Sequence, residues 1–193
     1  MANTSATGGY LSPNNQPDND AILARTLHDF IAGVTGIDVK NIRPRWQPNP
    51  PVIPSSEVDW CAFGVTNTDY GLPYQSQKTY GEDTKQEQVR DEAFTVLLSF
   101  YGSNCVKNCN RISQGLTMSQ NREALYLAGI SVIGIGGVIR SPELVNDVWL
   151  DRADVEIVFG RRVVMVYDVL HFLGAGGSLE SETTPAESWS VED

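Results

Sequence analysis

The sequence has little of what usually announces a chemistry. Its three cysteines, Cys61, Cys105 and Cys109, are odd in number and show no CxxC spacing. A disulfide framework or a four-ligand zinc site needs more thiols in a tighter pattern, so free thiols in a reducing compartment are expected. The two histidines, His28 and His171, stand far apart, and neither GxSxG nor GxxxxGK[ST] occurs. Nucleophile-elbow hydrolases and P-loop enzymes are thereby excluded. The longest apolar run, Ile130 to Ile139, contains three glycines and is about half of the ~20 residues that a membrane-spanning helix needs. The first residues have neither a basic segment nor an apolar one, so no secretory signal is expected. Positive charge is also scarce, with 14 Lys and Arg against 24 Asp and Glu, for a net charge of -10. A protein that grips nucleic acid by neutralising phosphates needs clustered Lys and Arg instead.

What is present suits a folded domain. The 193 residues are 41% apolar, and a chain of this length buries roughly 70% of its unfolded surface. Acidity gathers at the ends: Asp18 and Asp20 near the start, and Glu180, Glu182, Glu187, Glu192 and Asp193 near the finish, with no basic residue in either stretch. The segment between carries 17 acids against 14 bases and is close to neutral. Residues 1–19, rich in Asn, Gly, Ser and Pro, read as a flexible arm, residues 20–172 as an α+β domain, and residues 173–193 as an acidic, disordered tail.

Within the domain, Asp18 or Asp20 can cap a helix bearing Leu23, Leu27, Phe30, Ile31 and Val34 at helical spacing, with Gly33 and Gly36 offering a stop. The stretch IRPRWQPNPPVIPSS has five prolines and should lie extended, with Trp46 as its anchor. Residues 57–67 and 86–101 alternate in the manner of strands, separated by some eighteen residues rich in Gly, Tyr, Asp and Thr that read as a long loop. Ser103 or Asn104 opens a helix with Cys105, Cys109, Ile112 and Leu116 on one face, and Ser119 caps another that ends at Gly129. Residues 130–139 form a glycine-broken strand and residues 141–150 a turn or short helix. RADVEIVFG and RRVVMVYDVL then close the domain as a hairpin turning at Gly160 and Arg161. This order implies an α+β fold with a mostly antiparallel β-sheet, helices packed on one face and a long inter-strand loop.

Several clusters invite a chemical reading beside a plainer one. Cys105 and Cys109 lie one helical turn apart, which fits a buried helix face better than a metal site. Gly134, Gly136 and Gly137 break the GxGxxG order and fit a bulged strand. Asp147, Asp151, Asp154 and Glu156 could hold a divalent ion for a small metal-dependent nuclease. Their neighbouring cations are Arg152, Arg161 and Arg162, poor general bases, so ion pairs on a polar strand face are the plainer account. His28 beside Asp29 reads as a surface residue. No catalytic, cofactor or metal site is expected. Surfaces for assembly are expected instead, with Tyr70, Tyr74 and Tyr80 in the long loop and Arg152, Asp154, Glu156, Arg161 and Arg162 near the end as candidate contacts. The arginines are expected to pair with Asp154 and Glu156, within a subunit or across a contact.

The order RPRWQPNPP, a strand ending FYG, helices ending LYLAGI, and VNDVWLDRADVEIVF followed by a basic segment resembles the neck terminator, or tail terminator, proteins of tailed bacteriophages across residues 20–172. Trp149 and the run Arg152-Ala153-Asp154-Val155-Glu156 are the most specific part. The resemblance implies a non-enzymatic virion protein that is assembled in the host cytoplasm and forms a ring, typically a hexamer. The ring would cap the head-proximal end of the tail tube and join the tail to the neck or connector. Its partners would be copies of itself, the tail tube protein and a neck, connector or head-completion protein, with DNA only passing through and no membrane. The Tyr70–Lys85 loop would then meet the tube or an adjacent ring. A head-completion or connector ring is the nearest alternative, and a metal-dependent nuclease is the alternative of a different class.

Overall fold

A computed structural model describes residues 10–15, 20–49, 51–72, 74–80, 83–145, 147–169, 174–181 and 184–192; side chains at 20, 74–80, 83–84, 174–181 and 184–192 lie outside the description. The chain divides into two units, a larger one of Pro17–Tyr74 and Val89–Val163 and a smaller one of Met1–Gln16, Gln75–Gln88 and Val164–Asp193.

The larger unit opens with helix α1 (Asp20–Thr35), which presents Leu23, Leu27, Phe30 and Ile31 to the core. Gly36, at φ 75°, ends it by donating to the Ala32 carbonyl. The expected cap at Asp18 lies outside the described residues. The proline-rich stretch follows, with β1 (Ile42–Pro44) laid parallel to β2 (Trp60–Tyr70). β4 (Asp83–Tyr101) runs antiparallel to β2, and β3 (Tyr74–Tyr80) pairs with β4. The stretch expected to be a long loop is therefore largely strand. Backbone groups left in a loop would have to find partners one by one, whereas the ladder satisfies them together.

Helices α2 (Cys105–Gly115) and α3 (Ser119–Leu127) come next. Asn104 stands at the α2 N-cap, but the carboxylate that accepts from its backbone N–H belongs to Asp59, at 3.1 Å. Met118, not Ser119, precedes α3, without a side-chain cap. β5 (Ile130–Ile135) is bulged between Val132 and Gly134, and β6 (Ile139–Arg140) continues along the same neighbour. Among the described residues of 141–150 there is no short helix. They form a small antiparallel hairpin, β7 (Glu143–Val145) and β8 (Val148–Leu150).

The largest departure from expectation is β9 (Arg152–Asp168), one unbroken strand where a hairpin at Gly160 and Arg161 was expected. Gly160 does not turn the chain. It pairs with Ser131, and a Cβ there would stand 2.9 Å from Ser131 Oγ and 3.0 Å from Ile133 Cδ1. Close approach of β5, not turning, accounts for the glycine.

The sheet order is β1-β2-β4-β9-β5. Period-2 alternation puts Phe94, Val96, Leu98 and Phe100 of β4 on one face with Ala153, Val155, Ile157 and Phe159 of β9, and all eight are buried. They form one core with the inward faces of the three helices. Cys105, Cys109, Ile112 and Leu116 share a face as the spacing predicts, and all three thiols are free and buried. On the opposite face, Trp60 stacks on Tyr101 with centroids 4.0 Å apart, Arg43 lies over Trp60 at 5.7 Å and Arg152 over Tyr101 at 5.6 Å. This ladder crosses four strands. Trp46, at φ 58°, lies over Gly64 and stays mostly exposed, so it is a cover on the sheet more than a buried anchor.

In the smaller unit, the end of the N-terminal arm lies along β9. Asn14 N–H donates to the Val166 carbonyl (2.7 Å), and the Asn15 side chain both accepts from Val166 N–H (2.7 Å) and donates to the Val164 carbonyl (2.8 Å). Residues 173–193, expected to be disordered, contain two antiparallel strands, β10 (Gly174–Ser181) and β11 (Thr184–Glu192). Low hydrophobicity argued for disorder, but backbone pairing is open to a polar chain as well. Among the described residues, no helix is long and apolar enough to cross a membrane.

Burial, reinforced by nearby Cys105 and Asp154, pushes the Cys109 thiol from 9.0 up to about 12. The folded state therefore favours the protonated thiol, while the unfolded chain releases its proton near pH ~8.5. Stability should hold below that pH and fall as pH rises from 9 toward 12. Urea midpoints across this range should show the decline, and Cys109→Ala should lessen it, leaving the share that buried Cys61 and Cys105 contribute in the same direction.

Candidate functional site

The candidate contact residues on β9 fall into two groups, around Arg152 and around Arg161, nine positions apart, which is about 30 Å along an extended strand. Each group sits beside an exposed apolar surface within the larger unit.

The first group is built around Glu92 of β4, which sequence reasoning did not single out. Its side chain is only 3% exposed, and it accepts from Arg90 at 2.6 Å and from Arg161 at 2.8 Å. Glu92 lies in the same alternating row as Phe94 and Phe100, so the carboxylate sits at the end of the core face and needs both cations there. Arg161 also lies over the Phe94 ring at 5.5 Å, and Arg90 over the Tyr70 ring at 4.4 Å. Tyr70 stands opposite Glu92 in the β2–β4 register. One residue along, on the other face, Arg162 reaches Asp91 at 2.9 Å, and that hydrogen bond holds the Asp91 carboxyl below its ordinary value. Within the chain, Arg161 and Arg162 thus pair with the neighbouring strand in place of Asp154 and Glu156. Alternation places Asp154 and Glu156 on the face away from Arg161, and strand length puts them far from Arg162. An open groove of about 1060 Å³ runs beside this network, walled by Tyr70, Tyr126, Leu127 and Ile133 with Arg161 and Arg162 at its side.

The second group is Arg152, which donates to Asp154 at 2.8 Å and also pairs with Glu143 at the base of the β7–β8 hairpin. Ser141 N–H donates to the Arg152 carbonyl at 3.0 Å, so the hairpin is tied to β9 on both sides of its guanidinium. In the hairpin register Leu144 faces Trp149, and both are exposed. Asp147 occupies the tip at φ 60°, Asp151 is exposed, and Glu156 is exposed on β9. The acids proposed for a nuclease are therefore strung along a hairpin and a strand. Among the described residues, no three His, Cys, Asp or Glu side chains gather in a metal-holding group. His28 Nδ1 meets Asp29 and its Nε2 meets the Val39 carbonyl, both at 3.0 Å. Tyr74 and Tyr80 lie in β3, where side chains are outside the description.

A family profile described as phage neck terminator protein matches residues 21–183. The chain belongs to that family. The match runs beyond residue 172, where the resemblance was taken to end, and so takes in β10. No curated protein matches the chain. As a neck terminator, the chain is a structural component of the virion.

The neck terminator residues that sequence reasoning missed had one usable signal. Arg90, Asp91 and Glu92 form a charged triplet directly before the apolar half of β4 (AFTVLLSFY), a pattern that demands local partners. Tyr126, Leu127 and Ile133 gave none, because an exposed apolar residue in a helix or strand looks like a core residue until the fold is known.

Removing the buried carboxylate should be far costlier than removing the surface pair. Glu92→Ala leaves two guanidiniums facing each other and should lower unfolding free energy by ~3–5 kcal/mol. Arg162→Ala should cost less than ~1 kcal/mol. Urea unfolding of the two variants decides this, and equal effects would refute the assignment.

Proposed function

We propose that this neck terminator forms a ring, a hexamer, that caps the head-proximal end of the tail tube and joins the tail to the neck or connector. The observation that carries the reading is the family match over most of the folded chain. Two further features support it. The larger unit exposes two separate apolar surfaces, as a subunit needs if one side is to meet a different side of its neighbour in a closed ring. The net charge of -10 also suits a ring through which DNA passes without adhering.

The ring acts by shape and adhesion, without catalysis. Arg152, Arg161 and Arg162 are engaged in ion pairs with Glu143, Asp154, Glu92 and Asp91. The partners are further copies of the chain, the tail tube protein and a connector or head-completion protein, with assembly in the host cytoplasm. The Tyr70–Lys85 stretch, carrying Tyr74 and Tyr80, meets the tail tube or an adjacent ring.

Disrupting the gene in its parent phage should leave filled heads without joined tails and tubes of irregular length, visible by negative-stain imaging. Normal joined particles, or purified virions lacking this chain, would sink the reading. Tyr74→Ser with Tyr80→Ser should lower co-sedimentation of the chain with tail tubes at least fivefold; undiminished binding would move the tube contact elsewhere.

A further inference from the structure

We propose that the β7–β8 hairpin of one subunit docks into the groove walled by Tyr126, Leu127 and Ile133 of a second copy of this chain. The inference deepens the ring reading and rests on it.

The groove lies against a sheet edge that is left open. Among the described residues no strand pairs with the outer side of β5, and residues 127–139 carry no charge and no proline. Proteins ordinarily blunt such an edge with charge, proline or a covering element, because an uncovered apolar edge pairs with other chains. The opposite edge of the sheet is already blunted: β1 is three residues long and ends in Pro44. Tyr126, Leu127 and Ile133 are each more than 60% exposed beside the open edge.

The hairpin has the converse character. It is a two-stranded sheet of its own, and such a pair is marginal in water without a third layer or strand. It nevertheless exposes Leu144, Val148 and Trp149, each more than half accessible. The Arg152–Glu143 pair and the Ser141–Arg152 backbone bond root it on β9, so it projects as an anchored knob.

The areas match what an assembly contact requires. With roughly 150–250 Å² for a fully exposed large side chain, the three knob residues and the three groove residues together present on the order of 800 Å². That is a large part of the ~1,200 Å² at which stable interfaces begin, before any rim is counted. The arginines beside knob and groove, Arg152 and Arg161, stand nine positions apart on β9, about 30 Å along an extended strand. A subunit built this way meets its neighbour head to tail, and the contact repeats around a ring. A two-fold arrangement, each knob in the other subunit's groove, would close at a dimer, whereas the one-way contact leaves a knob and a groove free at the two ends of every chain of subunits until the ring closes.

The test places one cysteine on each surface of the full chain, Leu144→Cys and Leu127→Cys, assembled on tail tubes and mildly oxidised, with rings scored separately by electron imaging. The native thiols are buried and should not take part. The double variant should give a ladder of disulfide-linked multimers on denaturing gels, at least tenfold above either single variant. Dimers from a single variant, or rings without a ladder from the double variant, would overturn the knob-and-groove contact while leaving the ring standing. If the unmodified chain forms no ring on tubes, the ring reading falls, and this inference with it. As an independent arm, Trp149→Asp should reduce incorporation into rings at least tenfold with an unchanged thermal melt, and Trp149→Phe should restore it. Undiminished incorporation of Trp149→Asp would count against the proposal.

Discussion

A carboxylate buried between two guanidiniums governs how the two longest strands of this protein meet. Glu92 sits at the end of the core face of β4, almost fully out of water, and is tolerable there only because Arg90 and Arg161 supply its hydrogen bonds and balance its charge. Arg161 comes from β9, so the pairing fixes β9 alongside β4 at this point. It also holds Arg161 against Phe94, one of the residues that anchor the core. With β4 and β9 locked, β5 and β6 have a straight neighbour to pair with, and the helices have a continuous apolar face to cover.

The start of β9 is held differently. Arg152 lies over Tyr101, which stacks on Trp60, which lies beneath Arg43. Cation and ring alternate across four strands on the face away from the core. Such contacts are individually worth ~0.5–1 kcal/mol where water reaches them, so the ladder positions more than it stabilises. Its main consequence is that Arg152 is oriented for Glu143 and Asp154, which sets where the β7–β8 hairpin leaves the sheet. One strand therefore carries an apolar knob beside its start and an apolar groove beside its middle, each next to an arginine. Charged groups here act as joinery, and the surfaces offered to partners are apolar. This division suits a structural protein of the virion.

Much of this was legible from residue order. The 3.6-residue spacing in α1 and α2, the period-2 alternation of β2 and β4, and the glycines at 36, 102 and 129 that carry positive φ all follow local rules that one chain segment obeys by itself. The β7–β8 hairpin was not read from the sequence, where residues 141–150 stood as a turn or short helix, because three-residue strands are too short for their alternation to show. Gly160 misled, because a glycine beside two arginines reads as a turn when its reason for being small is the approach of Ser131 and Ile133 from another strand.

Composition and periodicity by themselves thus determined the fold class, the helix faces and the buried thiols, because these depend on which residues must leave water and on the repeat of the backbone they sit on. Residue order also carried the resemblance to phage neck terminators. Only the tertiary structure decided that β9 runs unbroken, that Arg161 and Arg162 answer to Glu92 and Asp91, and that Tyr126, Leu127 and Ile133 face outward together. Each of these depends on residues tens of positions apart meeting across a sheet, and the identity of a charged partner or an uncovered neighbour is a property of the packed chain, not of any segment within it.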